Sequence, residues 1–272
     1  MIVGVVLCHP QSVDLLPREA YDTPTAVLKR ISCGTTKMAN VDLSEAGDFF
    51  PTYASWNSAL FETSVILTVW EHAKELLGTD HVAILHSDIK PHFGAAETWE
   101  KVNGWLDEKP GRAVGLTAPF SYSHLWDGWE IPKGVPFKPA YDPMVVHPFD
   151  NGIRVWDYVK QYDPDVYEWA MDEQPRLIYA HQFACSSSVF DKLGGKLYEV
   201  AQRLRFRDVG LWTPHMFERL IGLYLARLGG EPLLSTAFWH MASSGSFGPG
   251  ELSLYGPRPR RFYQLATRWN RS

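Results

Sequence analysis

His81-Val82-Ala83-Ile84-Leu85 runs straight into His86-Ser87-Asp88. An apolar run of this length, bounded by polar residues, reads as a strand buried on both faces. The change at its end is abrupt: an imidazole, a hydroxyl and a carboxylate in three positions, then Ile89-Lys90-Pro91. Upstream, Asn57 is placed to cap a helix from Ser58 to about Leu77, with Gly78 just past its end. Ile66, Val69, Ala73 and Leu76 recur at helical spacing and predict its apolar face. Helix, short loop and buried strand in succession predict α/β architecture. Ligands of open α/β sheets bind outside the carboxyl ends of the strands. The polar triplet after Leu85 is therefore the first place to look for chemistry.

The rest of the chain extends this reading. Ile2–Leu7 is a short β-rich run ended by Cys8-His9-Pro10 and predicts a buried first strand. Turn signals come next, at Cys33-Gly34 and Phe50-Pro51. Residues 96–106 predict a helix over the sheet, and Ala113–Leu116 another buried strand. Residues 118–175 are dense in Pro, Gly, Trp and Tyr and predict an ordered aromatic loop insertion over the working face. Arg176–Cys185 returns to strand character, and Ser188–Leu204 reads as a helix. Thr213-Pro214 is a helix start. Phe217, Leu220, Ile221, Tyr224 and Leu228 make its stripe, and Gly229-Gly230 closes it. Leu233–Trp239 predicts a last strand ending at His240, and a basic tail occupies 243–272. A single domain over 1–272 is the expectation.

Composition removes several function classes. A formal net charge of −5 argues against a dedicated nucleic-acid binder. The three cysteines, Cys8, Cys33 and Cys185, are too scattered for a zinc cluster or a disulfide framework. Free thiols fit a reducing compartment, and no apolar run nears the ~20 residues of a membrane helix. A soluble cytoplasmic protein is expected. No GxGxxG or GxxxxGK[ST] loop is present, which argues against Rossmann dinucleotide and P-loop chemistry. Aromatic content is high, 14% with 11 Trp, and suits either a large core or stacking on sugars.

Three predicted strand ends carry polar groups: Cys8-His9, His86-Ser87-Asp88 and His240. His86 and Asp88 could surround one divalent ion, Mn²⁺ or Mg²⁺, with His240 supplying a nitrogen from the other side. The plainer alternative is that these histidines cap strand ends. Glu62 lies four residues before Ile66 on the inward helix face and needs a partner there, which a salt bridge would also provide.

An apolar strand ending in an Asp-x-Asp-like triplet resembles the GT-A class of nucleotide-sugar glycosyltransferases. The first acidic position is His86 here. The class implies a three-layer α/β fold and a metal on the donor diphosphate. Asn57-Ser58-Ala59-Leu60-Phe61-Glu62, the helix through Trp70-Glu71-His72, Ile84-Leu85-His86 and Phe217-Glu218-Arg219-Leu220 resemble, in that order, bacterial capsule and surface-polysaccharide glycosyltransferases. The likeness spans roughly 55–92 and 180–240. The Tyr-Arg-Arg of that family is replaced by Ser87-Asp88-Ile89.

The resemblance implies a nucleotide-sugar donor and a saccharide acceptor. His9, Asn57 and Glu62 are then the donor-side candidates. Arg258, Arg260 and Arg261, from a tail with no acid after Glu251, could pair with the diphosphate. Peripheral contact with anionic lipid is the tail's alternative role. Glu218 is the first candidate base, with Asp208 behind it; a carboxylate near a helix start also simply favours the helix dipole. Tyr122, Trp126, Trp129 and Tyr141 are candidate stacking surfaces for the acceptor, or pack the insertion on itself. Two other readings stay open: a non-catalytic carbohydrate-binding protein, and a metal-dependent hydrolase built on His86, Asp88 and His240.

Overall fold

A computed structural model of the chain describes residues 1–8, 16, 18–36, 38–78, 81–87, 89–91, 94–116, 155–173, 175, 178, 181–204, 213–229, 233–234 and 237–240. The strands are β1 (Ile2–Cys8), β2 (Ala26–Ser32), β3 (Leu43–Ser44), β4 (His81–His86), β5 (Ile89–Pro91), β6 (Ala113–Gly115), β7 (Phe183–Ser186), β8 (Leu233–Leu234) and β9 (Phe238–His240). The helices are α1 (Asn57–Leu60), α2 (Glu62–Glu71), α3 (Ala73–Leu76), α4 (Ala95–Glu108), α5 (Val155–Tyr162), α6 (Pro164–Glu173), α7 (Ser187–Leu204) and α8 (Thr213–Gly229).

The main sheet has the order β3-β2-β1-β4-β7-β6-β8. Every neighbouring pair is parallel except the two that involve β7. β1 and β4 are central and apolar on both faces because both faces are covered. Along β1, Val3, Val5 and Leu7 enter one core, while Ile2, Val6 and Cys8 enter the other. Along β4, Val82 and Ile84 alternate in the same way with Ala83 and Leu85. The period of two thus divides the molecule into two cores.

The larger core lies under α2, α5, α6, α7 and α8. The smaller lies under α4, with the 3-10 turn at Arg18–Ala20 beside it. Trp99 of α4 is fully buried there, and its indole N–H donates to Ala20 O at 3.0 Å. That bond removes the penalty of sealing a polar group in an apolar layer. The result is the three-layer α/β fold, with a mostly parallel central sheet, that the GT-A resemblance implies.

Several boundaries differ from the sequence reading. The expected single helix from Ser58 to Leu77 is three pieces, broken at Phe61 and His72. Asn57 is inside the first piece; it does not cap it. One inward stripe was expected on α2, yet Thr63–Val69 are all buried, because the helix is wedged between sheet, α7 and α8. The strand expected over 176–185 is confined to Phe183–Ser186. The last strand is two short ones in different sheets, since β9 pairs with β5 and not with the main sheet's β6. Of the aromatic insertion, residues 155–162 and 164–173 are helical, not loop. Residues 117–154 lie outside the described residues, as does the tail from 241 onward.

Candidate functional site

Because β1, β2 and β4 are parallel, their last residues share one edge. Cys8 sits opposite Ser32, and Leu7 opposite His86. Two backbone bonds extend the ladder past the strand ends: Cys33 N–H to Cys8 O at 2.9 Å, and Ser87 N–H to Leu7 O at 3.2 Å. β7 runs the other way, so the residues leading into it arrive at this same edge. His181 and Gln182 are those residues, and both are buried. The imidazole of His181 stacks on that of His86, with centroids 5.5 Å apart and planes at 23°. His181 Nε2 lies 3.2 Å from Thr63 Oγ1 in the first turn of α2. The imidazole tautomer decides which of the two donates.

The junction before α2 is the second part of the edge. Phe61 has φ 46° and ψ −129°, a conformation L side chains rarely adopt. Such strain persists only where neighbours over-determine it. Here the Phe61 carbonyl accepts from Asn57 Nδ2 at 2.7 Å and from Ser64 N–H at 3.1 Å, with Ser64 Oγ at 2.9 Å. Asn57 Nδ2 also donates to Ser64 Oγ at 3.0 Å. Asn57 therefore acts on the far end of its own helix, where it fixes the residue that introduces Glu62.

Glu62 is partly buried and opens α2. Burial pushes the Cys33 thiol well above its ordinary range, and the charges of Glu62 and Glu45 push it further. The Glu62 carboxylate is thus close enough to act on Cys33, the residue just past the end of β2. Glu45 had no place in the sequence reading. It is fully buried, and its Oε2 accepts from Gly34 N–H at 2.6 Å and Ser64 Oγ at 3.0 Å; Oε1 accepts from Thr68 Oγ1 at 3.1 Å. Burial raises the Glu45 carboxyl, and these three donors oppose the rise without cancelling it. Gly34 has φ +72°, and a Cβ there would meet Asn57 Oδ1 at 2.8 Å. Glu45, Gly34, Asn57 and Ser64 therefore form one buried brace beneath the strand ends.

Two more candidates can be placed. His240 pairs with Ile89 across the β5–β9 ladder, and Ile89 directly succeeds Asp88 in the chain. The backbones of a strand end and of the late histidine are thus neighbours. Glu218 lies in the second turn of α8, 3.8 Å from Nη1 of the buried Arg219. The far end of that helix lies on the start of β6, where a Cβ on Gly229 would meet Gly111 O at 2.8 Å and Ala113 N at 3.0 Å. The same helix packs against α1, which carries Asn57. Asn57, Glu62 and His86 themselves were placed above, at the strand-end edge.

The remaining candidates, His9, Asp88, Asp208, Tyr122, Trp126, Trp129, Tyr141, Arg258, Arg260 and Arg261, lie outside the described residues. Among the described residues, no three His, Cys, Asp or Glu side chains converge as a metal site. The thiols of Cys8, Cys33 and Cys185 are all buried, and none is in a disulfide among the described residues. No helix among the described residues is long and apolar enough to cross a membrane.

No protein-family model and no curated protein matches the chain. Among solved structures, it is similar to the bifunctional glycosyltransferase WbbM in its apo form. The TM-score is 0.51 at 13% identity, and the match covers 89% of this chain. The chain spans 45% of that structure. At this identity the likeness establishes a shared fold, a glycosyltransferase-like one.

Proposed function

We propose that the protein is a glycosyltransferase that moves a sugar from a nucleotide-sugar donor to a saccharide hydroxyl. The observation that carries this reading is the sheet order with β7 alone reversed, which gathers Cys33, Glu62, His86 and His181 at the carboxyl edge of β1, β2 and β4. That edge is where open α/β sheets bind ligands. The fold shared with a glycosyltransferase supports the same reading.

In this reading the donor lies across the strand ends, beside Glu62 and His86. The acceptor hydroxyl attacks the anomeric carbon while the carbon–oxygen bond to the diphosphate breaks, with its electron pair leaving on the diphosphate. Glu218 takes the hydroxyl proton. Arg258, Arg260 and Arg261 meet the charge that builds on the leaving group. Tyr122, Trp126, Trp129 and Tyr141 stack on the acceptor, and His9 and Asp208 complete the donor and base sides. His86, Asp88 and His240 are a donor set of two imidazoles and one carboxylate, which suits Mn²⁺ better than Mg²⁺. A bound ion there would supply further positive charge to the diphosphate.

The test is a panel of nucleoside diphosphates and nucleotide-sugars, read by thermal shift and by donor hydrolysis, in Mn²⁺, Mg²⁺ and EDTA. A ligand at a hundred times its Kd raises apparent stability by about 2.7 kcal/mol. Stabilisation by one nucleoside diphosphate, together with donor turnover, is the expected result. Saccharide binding with no response to any nucleotide would replace the proposal with a carbohydrate-binding role. Tight metal binding without nucleotide would favour a hydrolase.

A further inference from the structure

We propose that His181 is a positioning residue of the donor site, locking the His86 ring at the end of β4 while Thr63 of α2 locks His181. Its bearing on turnover rests on the glycosyl-transfer reading; the lock itself does not. The three residues come from three separate elements and meet at one edge. His181 is 3% exposed, so its ring has little freedom of its own. His86 is the less buried partner, and the His181 ring stacks beside it at 5.5 Å between centroids. The orientation of an imidazole at the last position of a strand decides where its two nitrogens point. A flat ring stacked beside it at 23° limits its rotation on that side and helps to set that orientation.

The bond to Thr63 gives the lock a second function. Thr63 is the residue immediately after Glu62, the carboxylate that acts on Cys33 just past the end of β2. The chain of contacts Thr63, His181, His86 therefore ties the two sides of the edge at a fixed separation. Groups that orient a ligating histidine commonly govern affinity or activity by 10–100-fold. The expected effect here is about tenfold, at the lower end of that range, because the contact to His86 is a stack and not a hydrogen bond.

Three variants separate the parts of the lock. His181→Phe keeps a flat ring against His86 and loses the bond to Thr63. His181→Gln keeps a polar group near Thr63 and loses the ring. Thr63→Val removes the hydroxyl alone. The first readout is the ¹⁵N–¹H spectrum of the histidine side chains, with the His86 signals assigned from His86→Gln. His86 signals that broaden or shift in His181→Gln and return towards wild type in His181→Phe support the lock. Unchanged His86 signals in folded His181→Gln overturn it; Thr63→Val, with signals intermediate between these, keeps the test open if His181→Gln does not fold. The second readout is the affinity of UDP, GDP and dTDP in Mn²⁺. Binding to the wild type with about tenfold loss in His181→Gln and recovery in His181→Phe extends the lock to the donor site. Equal affinity in all three overturns the positioning role. If none of the diphosphates binds the wild type, the glycosyl-transfer reading fails, and the spectra alone decide the lock.

Discussion

Glu45 offers the most direct test of how the strand ends are held. It is fully buried, and its partners among the described residues are Gly34 N–H, Ser64 Oγ and Thr68 Oγ1. Glu45→Ala leaves these donors without their acceptor. Ser64 can turn its hydroxyl to Phe61 O, 2.9 Å away, but Gly34 N–H has no such alternative. A buried donor left unpaired costs about 1–3 kcal/mol, and losing the other two bonds adds roughly 1 kcal/mol in all. Glu45→Ala should therefore lower stability by about 2–4 kcal/mol. Glu45→Gln should cost under about 1 kcal/mol, since its amide oxygen accepts from Gly34 and Ser64 and its NH₂ group can donate to Thr68 Oγ1. The pH dependence separates charge from shape. The folded carboxyl binds its proton more tightly than the unfolded one, because burial raises it. Between the unfolded and folded pKa values the native state holds more protons, so stability falls as pH rises through that window and is level beyond it. Urea unfolding of wild type, Glu45→Gln and Glu45→Ala from pH 4 to 8 measures this. The wild type should lose stability across the lower part of that range, and Glu45→Gln should lack that slope. A Glu45→Ala loss below about 1 kcal/mol, or an equal slope in Glu45→Gln, would refute the brace.

Substitutions at three further positions probe neighbouring parts of the fold and the proposed site. Gly194→Ala drives a methyl into the Trp70 indole, which its N–H bond to Asp191 holds at 3.0 Å; a loss of about 1–3 kcal/mol in thermal or urea unfolding is expected, and a neutral result would mean α7 and α2 can part freely. At Phe61, Gly and Ala both remove the ring, but only Gly accepts φ 46° without strain, so Phe61→Gly should be more stable than Phe61→Ala by about 1 kcal/mol. Glu218→Gln should lower kcat by about 10²–10⁴ while leaving nucleoside diphosphate affinity unchanged; equal turnover removes Glu218 as the base.

The parts of the molecule readable in advance are those where one physical requirement dominates a short stretch. Val82–Leu85 is apolar throughout because β4 is covered on both faces, and its abrupt end at His86 marks the carboxyl edge of the sheet. Local patterning of this kind points to Asn57, Glu62 and His86, and the structure sets all three along this edge. Strand direction is different, because periodicity is identical in a parallel and an antiparallel strand. Reading 176–185 as one strand hides His181, which reaches this edge only because β7 runs backwards and delivers its leading residues to His86. Glu45 sits in Ser44-Glu45-Ala46-Gly47-Asp48, a polar run that reads as a surface turn; its burial depends on Gly34 and on Ser64 and Thr68, supplied by distant elements. The break at Phe61 is different in kind, since the donors to its carbonyl, Asn57 and Ser64, are near neighbours in the chain, and what hides it is a backbone conformation that the helical spacing does not betray. The helices at 155–173 do carry a local signal: Val155, Tyr158, Val159 and Tyr162 at helical spacing, and Pro164 at a first helical position. The surrounding Trp, Tyr and Pro mask it. His181 and Glu45 share one property: their side-chain partners lie far away in the chain. The edge assembled from β2, α2, β4 and the lead into β7 is built from such contacts, and its geometry comes from the reversed strand β7.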